Sequence, residues 1–313
     1  MENYDVFIAF KPLQFINAYN VSIQSRDCKT IMLLVDSFIN AKPFYDRVSK
    51  LGLFNKVIFF NTWRSAFKWC VNNKSIINQL YLNTDSGLQI GYYIKRLSKI
   101  PIYIYEEGYG NYRGTILSNE KLSHKFFRLL RIAISGNRDV DKFIGSNNNI
   151  CGLFLYHPNV FSMIHPLYKK SVTKIAKPFI SQLAELKDQI WPDFKVNEYS
   201  NKNVLLYLSE WQINNRVYDY FDKYHDFVKI IKPHPHILKL TEIQGFDVTL
   251  KTEMPAELVI INLFSVANEL VVIHESSTSL LYFKSNSHFN IINLTDDNNG
   301  EYSRIYSLIQ KRI

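Results

Sequence analysis

The sequence lacks any long uninterrupted hydrophobic run. Its most apolar stretch, residues 259–273, is broken by Asn262, Asn268 and Glu269, whereas a helix that spans a bilayer needs about 20 consecutive, mostly apolar residues. We therefore expect no membrane-spanning segment. The first residues also lack the basic start, apolar stretch and small-residue cleavage site of a secretory signal, so a cytoplasmic location is expected.

Cysteine is scarce, and no recognisable metal-binding pattern is present. Cys28, Cys70 and Cys151 are odd in number and unrelated in spacing, which argues against a disulfide framework and against a zinc site. We expect them to be buried thiols. His234 and His236 are close in sequence, but neither an Asp-x-Asp nor a His-Glu-x-x-His pattern accompanies them. The sequence therefore predicts neither a metal nor another cofactor.

Acidic residues are outnumbered by basic ones, 28 to 37, which leaves a formal net charge of +9. Such a chain attracts anions: nucleic acid, anionic lipid, or acidic nucleotides and carbohydrates. Nucleic acid is the least favoured partner, because the basic residues are scattered and no helix-turn-helix, zinc-finger or RNP pattern occurs. The stretch Lys125–Ile132 predicts an amphipathic helix, which either rests on the inner face of the plasma membrane or packs on its own domain.

Short β-branched and aromatic runs alternate with helical patterns along the chain, an order typical of parallel βαβ units. A first series of strands is predicted at Val6–Phe10, Thr30–Val35, Lys56–Phe60, Gln79–Leu82, Ile102–Tyr105 and Gly152–Tyr156. A second series is predicted at Asn203–Leu208, Phe227–Ile231, Val248–Leu250, Leu270–Ile273 and Phe289–Leu294. Helices are predicted between them, at Phe15–Gln24, Pro43–Leu51, Gly87–Leu97 and Ile180–Ile190.

With 313 residues, the chain is long enough for two domains. A Lys-rich segment with four prolines, residues 157–202, separates the two series of strands and reads as a connector. We place the first domain at residues 1–160, and the connector with the second domain at residues 161–313. The predicted fold class is α/β, with two Rossmann-like domains facing across a cleft, which is the GT-B arrangement.

Ligands of open parallel sheets bind at the carboxyl ends of the strands, and the first motif lies at such a point. Glu106, Glu107 and Gly108 directly follow the strand Ile102–Tyr105. Adjacent carboxylates raise one another's pKa, which makes one of them a better base near neutral pH. The alternative is a solvated turn in which the acids have no chemical role.

The second motif, Lys232-Pro233-His234-Pro235, follows the strand Phe227–Ile231. A histidine between two prolines has a restricted backbone, and as the imidazolium it donates to a phosphate oxygen, while Lys232 adds positive charge. This combination suits a departing phosphate. The His-Pro pair is not specific by itself, since it recurs at residues 157–158 and 165–166, where we expect linker turns.

The third motif, Glu275-Ser276-Ser277-Thr278, follows the strand Leu270–Ile273 and precedes a helical pattern at Ser279–Phe283. Hydroxyl residues at the start of a helix are helix caps. The same position also binds anions, because free backbone N–H groups and the helix dipole point at the ligand. Both roles are compatible with a phosphate site.

In combination, the Glu-Glu-Gly, His-Pro and Ser-Ser-Thr motifs resemble those of bacterial sialyltransferases, in the same order. The group concerned contains the lipooligosaccharide sialyltransferases of glycosyltransferase family 52 and the related capsular polysialyltransferases. Two further segments are similar: Lys11–Gln14 resembles the family's Pro-Leu-Gln turn, and Met254–Leu258 resembles its Pro-x-Glu nucleotide loop. The resemblance spans nearly the whole chain.

The resemblance implies that Glu107 is the general base that deprotonates the acceptor hydroxyl, with Glu106 in support. Many relatives have Asp-Asp here, so the reach differs by a methylene, and the exchanged assignment stays open. His234 would stabilise or protonate the departing CMP phosphate. The donor nucleotide and its phosphate are expected to contact Lys232, Ser276, Ser277, Thr278, Pro255, Glu257 and Ser209. The acceptor side, in the first domain, is expected to include Gln14, Gly108 and Asn111.

The implied activity is an inverting, metal-independent transfer of sialic acid from CMP-sialic acid to a hydroxyl of lipooligosaccharide, capsule or O-antigen. The positive charge suits a lipid-linked or polyanionic acceptor. Another CMP-releasing enzyme, a Kdo or polyol-phosphate transferase, would use the same phosphate-binding groups. A non-catalytic glycan-binding protein with a degenerate GT-B fold would have little use for the proton acceptor Glu107.

Overall fold

The computed structural model describes residues 2–24, 28–114, 129, 132–133, 142–192, 196–210, 212–234, 243–250, 254–295 and 300–311. The chain forms two compact units, Met1–Gln182 and Leu183–Ile313. Each unit contains one sheet whose strands all run parallel. The predicted α/β fold class is therefore confirmed.

The first unit is built on a seven-stranded sheet with the order β3-β2-β1-β4-β5-β6-β7. Its strands are β1 (Tyr4–Ala9), β2 (Lys29–Val35), β3 (Lys56–Phe60), β4 (Ile77–Leu82), β5 (Ile102–Tyr105), β6 (Ile150–Leu155) and β7 (Ser171–Lys174). The central strand β1 is buried over five consecutive residues. A parallel strand covered on both faces has this continuous apolar sequence, because both sets of alternating side chains enter the core.

Helices connect these strands: α1 (Pro12–Ser22), α2 (Ala41–Val48), α3 (Trp63–Asn72), α4 (Leu88–Arg96) and α5 (Pro158–Ile164). A 3-10 helix, Tyr109–Tyr112, follows β5. The local sequence explains where several of these helices begin. Pro12 and Pro158 occupy first-turn positions, where a missing N–H costs nothing, and the Thr62 hydroxyl caps α3 by accepting the Ser65 N–H at 3.2 Å.

The second unit has a five-stranded sheet with the order β10-β9-β8-β11-β12. The strands are β8 (Asn203–Leu208), β9 (Val228–Lys232), β10 (Val248–Thr249), β11 (Glu269–His274) and β12 (Phe289–Asn293). Its helices are α6 (Phe179–Ile190), which begins before the division between the units, α7 (Ala256–Val266) and α8 (Glu301–Gln310). Short 3-10 helices lie at Asn197–Tyr199, Asn215–Tyr220 and Thr278–Tyr282.

The structure differs from the sequence-based prediction within the connector. Residues 158–164 form α5, and Ser171–Lys174 form β7, which pairs with β6 at the edge of the first sheet. The division between compact units therefore lies at residues 182–183, later than the boundary predicted after residue 160. β7 was missed because an edge strand of four mostly exposed residues carries almost no hydrophobic pattern.

Two smaller expectations also need correction. All three cysteines are free thiols, but only Cys70 is buried, whereas Cys28 is half-buried and Cys151 is exposed. The helical pattern after Ser277 is a five-residue 3-10 helix, Thr278–Tyr282, and not an α-helix. The predicted amphipathic segment Lys125–Ile132 lies largely outside the described residues. No helix in the described part of the chain is long and apolar enough to cross a membrane.

Candidate functional site

The carboxyl edge of the first sheet brings three chain segments together. Strand β1 lies between β2 and β4, so the chain leaves β1 toward one side of the sheet and later returns to its other side at β4. This is the topological switch point at which open α/β sheets bind ligands. The segments that follow β1, β4 and β5 supply Gln14, Asn83 and Glu107.

The carboxylate of Glu107 is held by two amides. Gln14 Nε2 donates to Oε1 at 3.0 Å, and Asn83 Nδ2 donates to Oε2 at 3.3 Å. Lys11 Nζ lies 3.6 Å from Oε1. The Glu107 side chain is still 29% exposed, so it is fixed in position and open to a bound molecule.

Glu106 has the opposite environment, because its side chain is completely buried. Its Oε2 accepts a hydrogen bond from the Tyr112 hydroxyl at 2.5 Å and one from the Tyr156 backbone N–H at 2.7 Å. Burial, followed by the negative charge of Glu106, raises the pKa of Tyr112 well above its usual value, so Tyr112 stays a donor. Asn17 Nδ2 donates to the Glu106 carbonyl at 2.8 Å. Glu106 thus anchors the loop in which Glu107 lies.

The turn after Glu107 depends on a glycine and a buried amide. Gly108 has a φ of 130°, which L side chains rarely adopt. Asn111, 1% exposed, accepts the Glu107 N–H at 2.6 Å and the Gly108 N–H at 3.2 Å through Oδ1. These contacts fix the turn in which Glu107 lies.

In the structure, every residue that the sequence assigned to the acceptor side lies beside Glu107. Gln14, Gly108 and Asn111 contact Glu107 or border it, and Glu106 supports the same loop. Sequence reasoning missed Asn83, although it directly follows the strand β4 and a search for polar residues at strand ends would have found it. Tyr112 and Tyr156 carried no such signal, because nothing in the local pattern shows that either residue contacts Glu106.

In the second unit, the corresponding switch point lies between β8 and β11, since β8 is flanked by β9 on one side and β11 on the other. Leu208 is paired with Lys232 of β9 and with His274 of β11. The residues that follow these three strands, and were predicted to bind the donor, therefore lie along one edge of the sheet. They are Ser209, His234, Ser276, Ser277 and Thr278.

The turn after β11 is organised by His274, which is 1% exposed. Its Nδ1 accepts the Ser277 N–H at 3.1 Å, while the Tyr302 hydroxyl donates to the Ser277 carbonyl at 2.7 Å. Burial lowers the pKa of His274 to about 4, so the imidazole is neutral and its proton is on Nε2. Ser276 has a φ of 59°, and both Ser276 and Ser277 are half-buried.

The remaining donor-side residues differ in environment. Lys232 is 3% exposed, and its Nζ donates to the Pro233 carbonyl at 2.8 Å, so it stabilises the turn that presents the half-buried His234. Residues 235–242, including His236, lie outside the described part of the chain. Ser209 is buried, its N–H donates to the Lys232 carbonyl at 3.2 Å, and its Oγ has no partner among the described residues.

Pro255 precedes α7, and Glu257 lies buried in the first turn of that helix. Next to the end of β8, the Tyr207 hydroxyl donates to Glu275 Oε1 at 2.5 Å, and Asn214 Nδ2 donates to Oε2 at 3.1 Å. Burial, and then the charge of Glu275, raises the pKa of the neighbouring Glu210.

In the described ranges, no group of three or more His, Cys, Asp or Glu side chains is placed to hold a metal ion.

Comparison with solved structures gives matches to glycosyltransferases. The wall teichoic acid polymerase TagF has a TM-score of 0.51 at 10% identity, over 88% of this chain and 66% of the TagF chain. Anabaena HepE in complex with UDP and glucose has a TM-score of 0.47 at 12% identity, over 99% of this chain and 89% of HepE. E. coli ADP-heptose LPS heptosyltransferase II has a TM-score of 0.41 at 9% identity, over 99% of both chains. The TagF match supports the predicted GT-B fold.

The chain spans slightly less than two thirds of the TagF chain, 66%. A search of curated protein sequences finds no match. A sequence profile of alpha-2,8-polysialyltransferases, in contrast, matches residues 21–295, which include the strand-end segments of both units except the turn after β1. The chain therefore belongs to the alpha-2,8-polysialyltransferase family, a family of glycosyltransferases.

Proposed function

We propose that this protein is an inverting sialyltransferase that moves sialic acid from CMP-sialic acid to a hydroxyl of a glycan acceptor and needs no metal. The observation that carries the proposal is the carboxylate of Glu107, which is partly exposed at a switch point and held by Gln14 and Asn83. The alpha-2,8 linkage in the description of the family supports a sialic acid chain as the acceptor. Lipooligosaccharide, capsule or O-antigen would carry that chain, and the protein would act at the inner face of the membrane.

In this mechanism, Glu107 removes the proton of the acceptor hydroxyl as its oxygen attacks the anomeric carbon of the donor sugar. The bond from that carbon to the phosphate oxygen breaks, and CMP leaves with the bonding electrons. Attack from the face opposite the phosphate inverts the anomeric centre. General base catalysis of this kind contributes about 10²–10⁴-fold to the rate, and a carboxylate that is already oriented avoids part of the cost of ordering.

The assignment of Glu107, and not Glu106, as the base rests on access. Both oxygen atoms of Glu107 have contacts, but its side chain is 29% exposed. Glu106 is fully buried, and its Oε2 is occupied by Tyr112 and the Tyr156 N–H. Because that oxygen already accepts two hydrogen bonds from the protein, Glu106 is the poorer proton acceptor for a bound glycan.

For the leaving group, we propose that His234 donates to the CMP phosphate and that Ser276, Ser277 and Thr278 supply further hydrogen bonds. Donors aimed at a developing negative charge stabilise the transition state most when they are held in place beforehand. The contact of His274 with Ser277 supports this, because it fixes the turn before any ligand binds. Ser209, Lys232, Pro255 and Glu257 would complete the nucleotide site.

The test is incubation of the protein with CMP-sialic acid and a tagged α-2,8-linked sialic acid trimer, with and without EDTA, followed by mass spectrometry. We expect the mass of one or more sialic acid residues to be added at the same rate in both arms. Parallel reactions with CMP-Kdo and CDP-glycerol distinguish the other CMP-releasing transferases. Turnover of either of those donors instead of CMP-sialic acid, or loss of turnover with EDTA, contradicts the proposal.

A further inference from the structure

Asn83 has an amide group of which only one atom is paired. The residue is 3% exposed, and its Nδ2 donates to Glu107 Oε2 at 3.3 Å. A carboxylate only accepts hydrogen bonds, so the nitrogen of the amide has to face Glu107, and the orientation of the group is determined. Asn83 Oδ1 is left buried, with no partner among the described residues.

Gln14 contacts the same carboxylate but has no such unpaired atom. Its Nε2 donates to Glu107 Oε1 at 3.0 Å, while its Oε1 accepts the Phe10 N–H at 2.7 Å. Both ends of the Gln14 amide are therefore used within the protein. The two amides that hold Glu107 are alike in their contact with the carboxylate and differ only in the unpaired oxygen of Asn83.

A buried acceptor without a donor destabilises a folded protein, so most such groups are paired, and an exception calls for an explanation by ligand, water or function. Asn83 Oδ1 and the carboxylate of Glu107 both accept hydrogen bonds and lie on neighbouring side chains. A ligand that satisfies both needs two donors close together. Two hydroxyls on adjacent carbon atoms have this chemistry.

We propose that Asn83 Oδ1 accepts a hydrogen bond from the acceptor hydroxyl next to the one that Glu107 deprotonates. The inference rests on the proposed function and names the acceptor class, a vicinal diol. In an α-2,8-linked acceptor, the reacting hydroxyl on carbon 8 has neighbours on carbons 7 and 9. Asn83 then selects the acceptor, whereas Gln14 only positions the base.

The experiment uses the tagged α-2,8-linked sialic acid trimer and two analogues whose terminal residue lacks the 7- or the 9-hydroxyl. For the unmodified protein, we expect kcat/KM to fall about tenfold on one of the two analogues, the size of one good hydrogen bond. The Asn83→Ala variant should lose about as much on the intact trimer and should no longer distinguish it from that analogue. The matched variant Gln14→Ala should have a lower kcat but keep the discrimination.

Each other outcome overturns the inference. If the unmodified protein uses both analogues as well as the trimer, Asn83 binds no acceptor hydroxyl, and this result needs no variant to fold. If Asn83→Ala keeps the discrimination, or Gln14→Ala loses it equally, Asn83 is only a positioning residue or binds water. Failure of the unmodified protein to extend the trimer rejects the proposed function, and the inference with it.

Discussion

The hydroxyl of Tyr112 donates a hydrogen bond of 2.5 Å to Oε2 of Glu106, and both side chains are completely buried. The same hydroxyl accepts the backbone N–H of His157 at 3.1 Å. Glu106 also accepts a hydrogen bond from the N–H of Tyr156, so one buried carboxylate joins the loop after β5 to the end of β6. This arrangement separates two adjacent acids into a structural one and an accessible one.

Tyr112→Phe should lower the free energy of unfolding by about 2 kcal/mol, because a buried hydrogen bond to a charged group is lost and the His157 N–H loses its acceptor. Urea titration followed by circular dichroism measures the change. Tyr168→Phe is the matched control, since its hydroxyl has no partner among the described residues. Equal losses for both variants would show that the Glu106 contact contributes nothing.

Glu107→Gln should reduce kcat about 10²–10⁴-fold, because an amide cannot take the proton of the acceptor hydroxyl. The melting temperature and the affinity for CMP should stay unchanged, since the side chain is partly exposed. Initial rates with CMP-sialic acid and calorimetry with CMP give both readouts. Full turnover would exclude the mechanism.

Glu106→Gln provides the comparison that separates the two acids. Its main effect should be on stability, because the buried network with Tyr112 and Tyr156 is changed. Thermal melting and initial rates are to be measured on the same preparation. A variant that keeps the unmodified melting temperature but loses turnover would exchange the assignment and make Glu106 the base.

The burial of His274 predicts a pH dependence of stability. Burial lowers its pKa from the usual 6.5 to about 4, so between these values the unfolded chain binds a proton that the folded protein excludes. The contribution of His274 is therefore complete above pH 6.5 and is lost as the pH falls toward 4. Tyr302 and Tyr306 of α8 face the ring, and burial raises the pKa of Tyr306 to about 12, so Tyr306 stays neutral in this range.

Urea titrations between about pH 4 and 7, compared between the unmodified protein and His274→Asn, test this dependence. The variant should lose less stability on acidification. The comparison is needed because burial also lowers the pKa of His157 to about 4, which adds a dependence of the same sign to both proteins. Parallel curves for the two proteins would contradict the prediction.

The contact between His274 and Ser277 should also affect donor binding. In His274→Leu, the Ser277 N–H loses its acceptor and the turn with Ser276 loosens, so KM for CMP-sialic acid should rise about five- to tenfold. His274→Asn keeps an acceptor near the position of Nδ1 and should restore most of the affinity. An unchanged KM in the leucine variant would show that this turn does not bind the donor.

Most of the sheet strands could be predicted from sequence, because a buried parallel strand is a local run of apolar residues between polar turns. The motifs at Glu107 and Ser277 were found for the same reason, since each directly follows such a run. β7 and the short 3-10 helix Thr278–Tyr282 were not predicted correctly. Their form depends on pairing with a neighbouring strand and on packing, which leave little local pattern.

The sequence by itself determined that the chain has two series of parallel strands and which polar residues follow them, since these features depend on neighbours along the chain. The family resemblance named Glu107 as the base and Glu106 as support, but only the tertiary structure decided the different environments of these two adjacent acids. Glu106 is enclosed by the Tyr112 hydroxyl, 6 residues away, and the Tyr156 N–H, 50 residues away, whereas Glu107 is held by amides 93 and 24 residues away. Burial and hydrogen-bond partners are properties of the fold, and they separate the structural carboxylate from the accessible one.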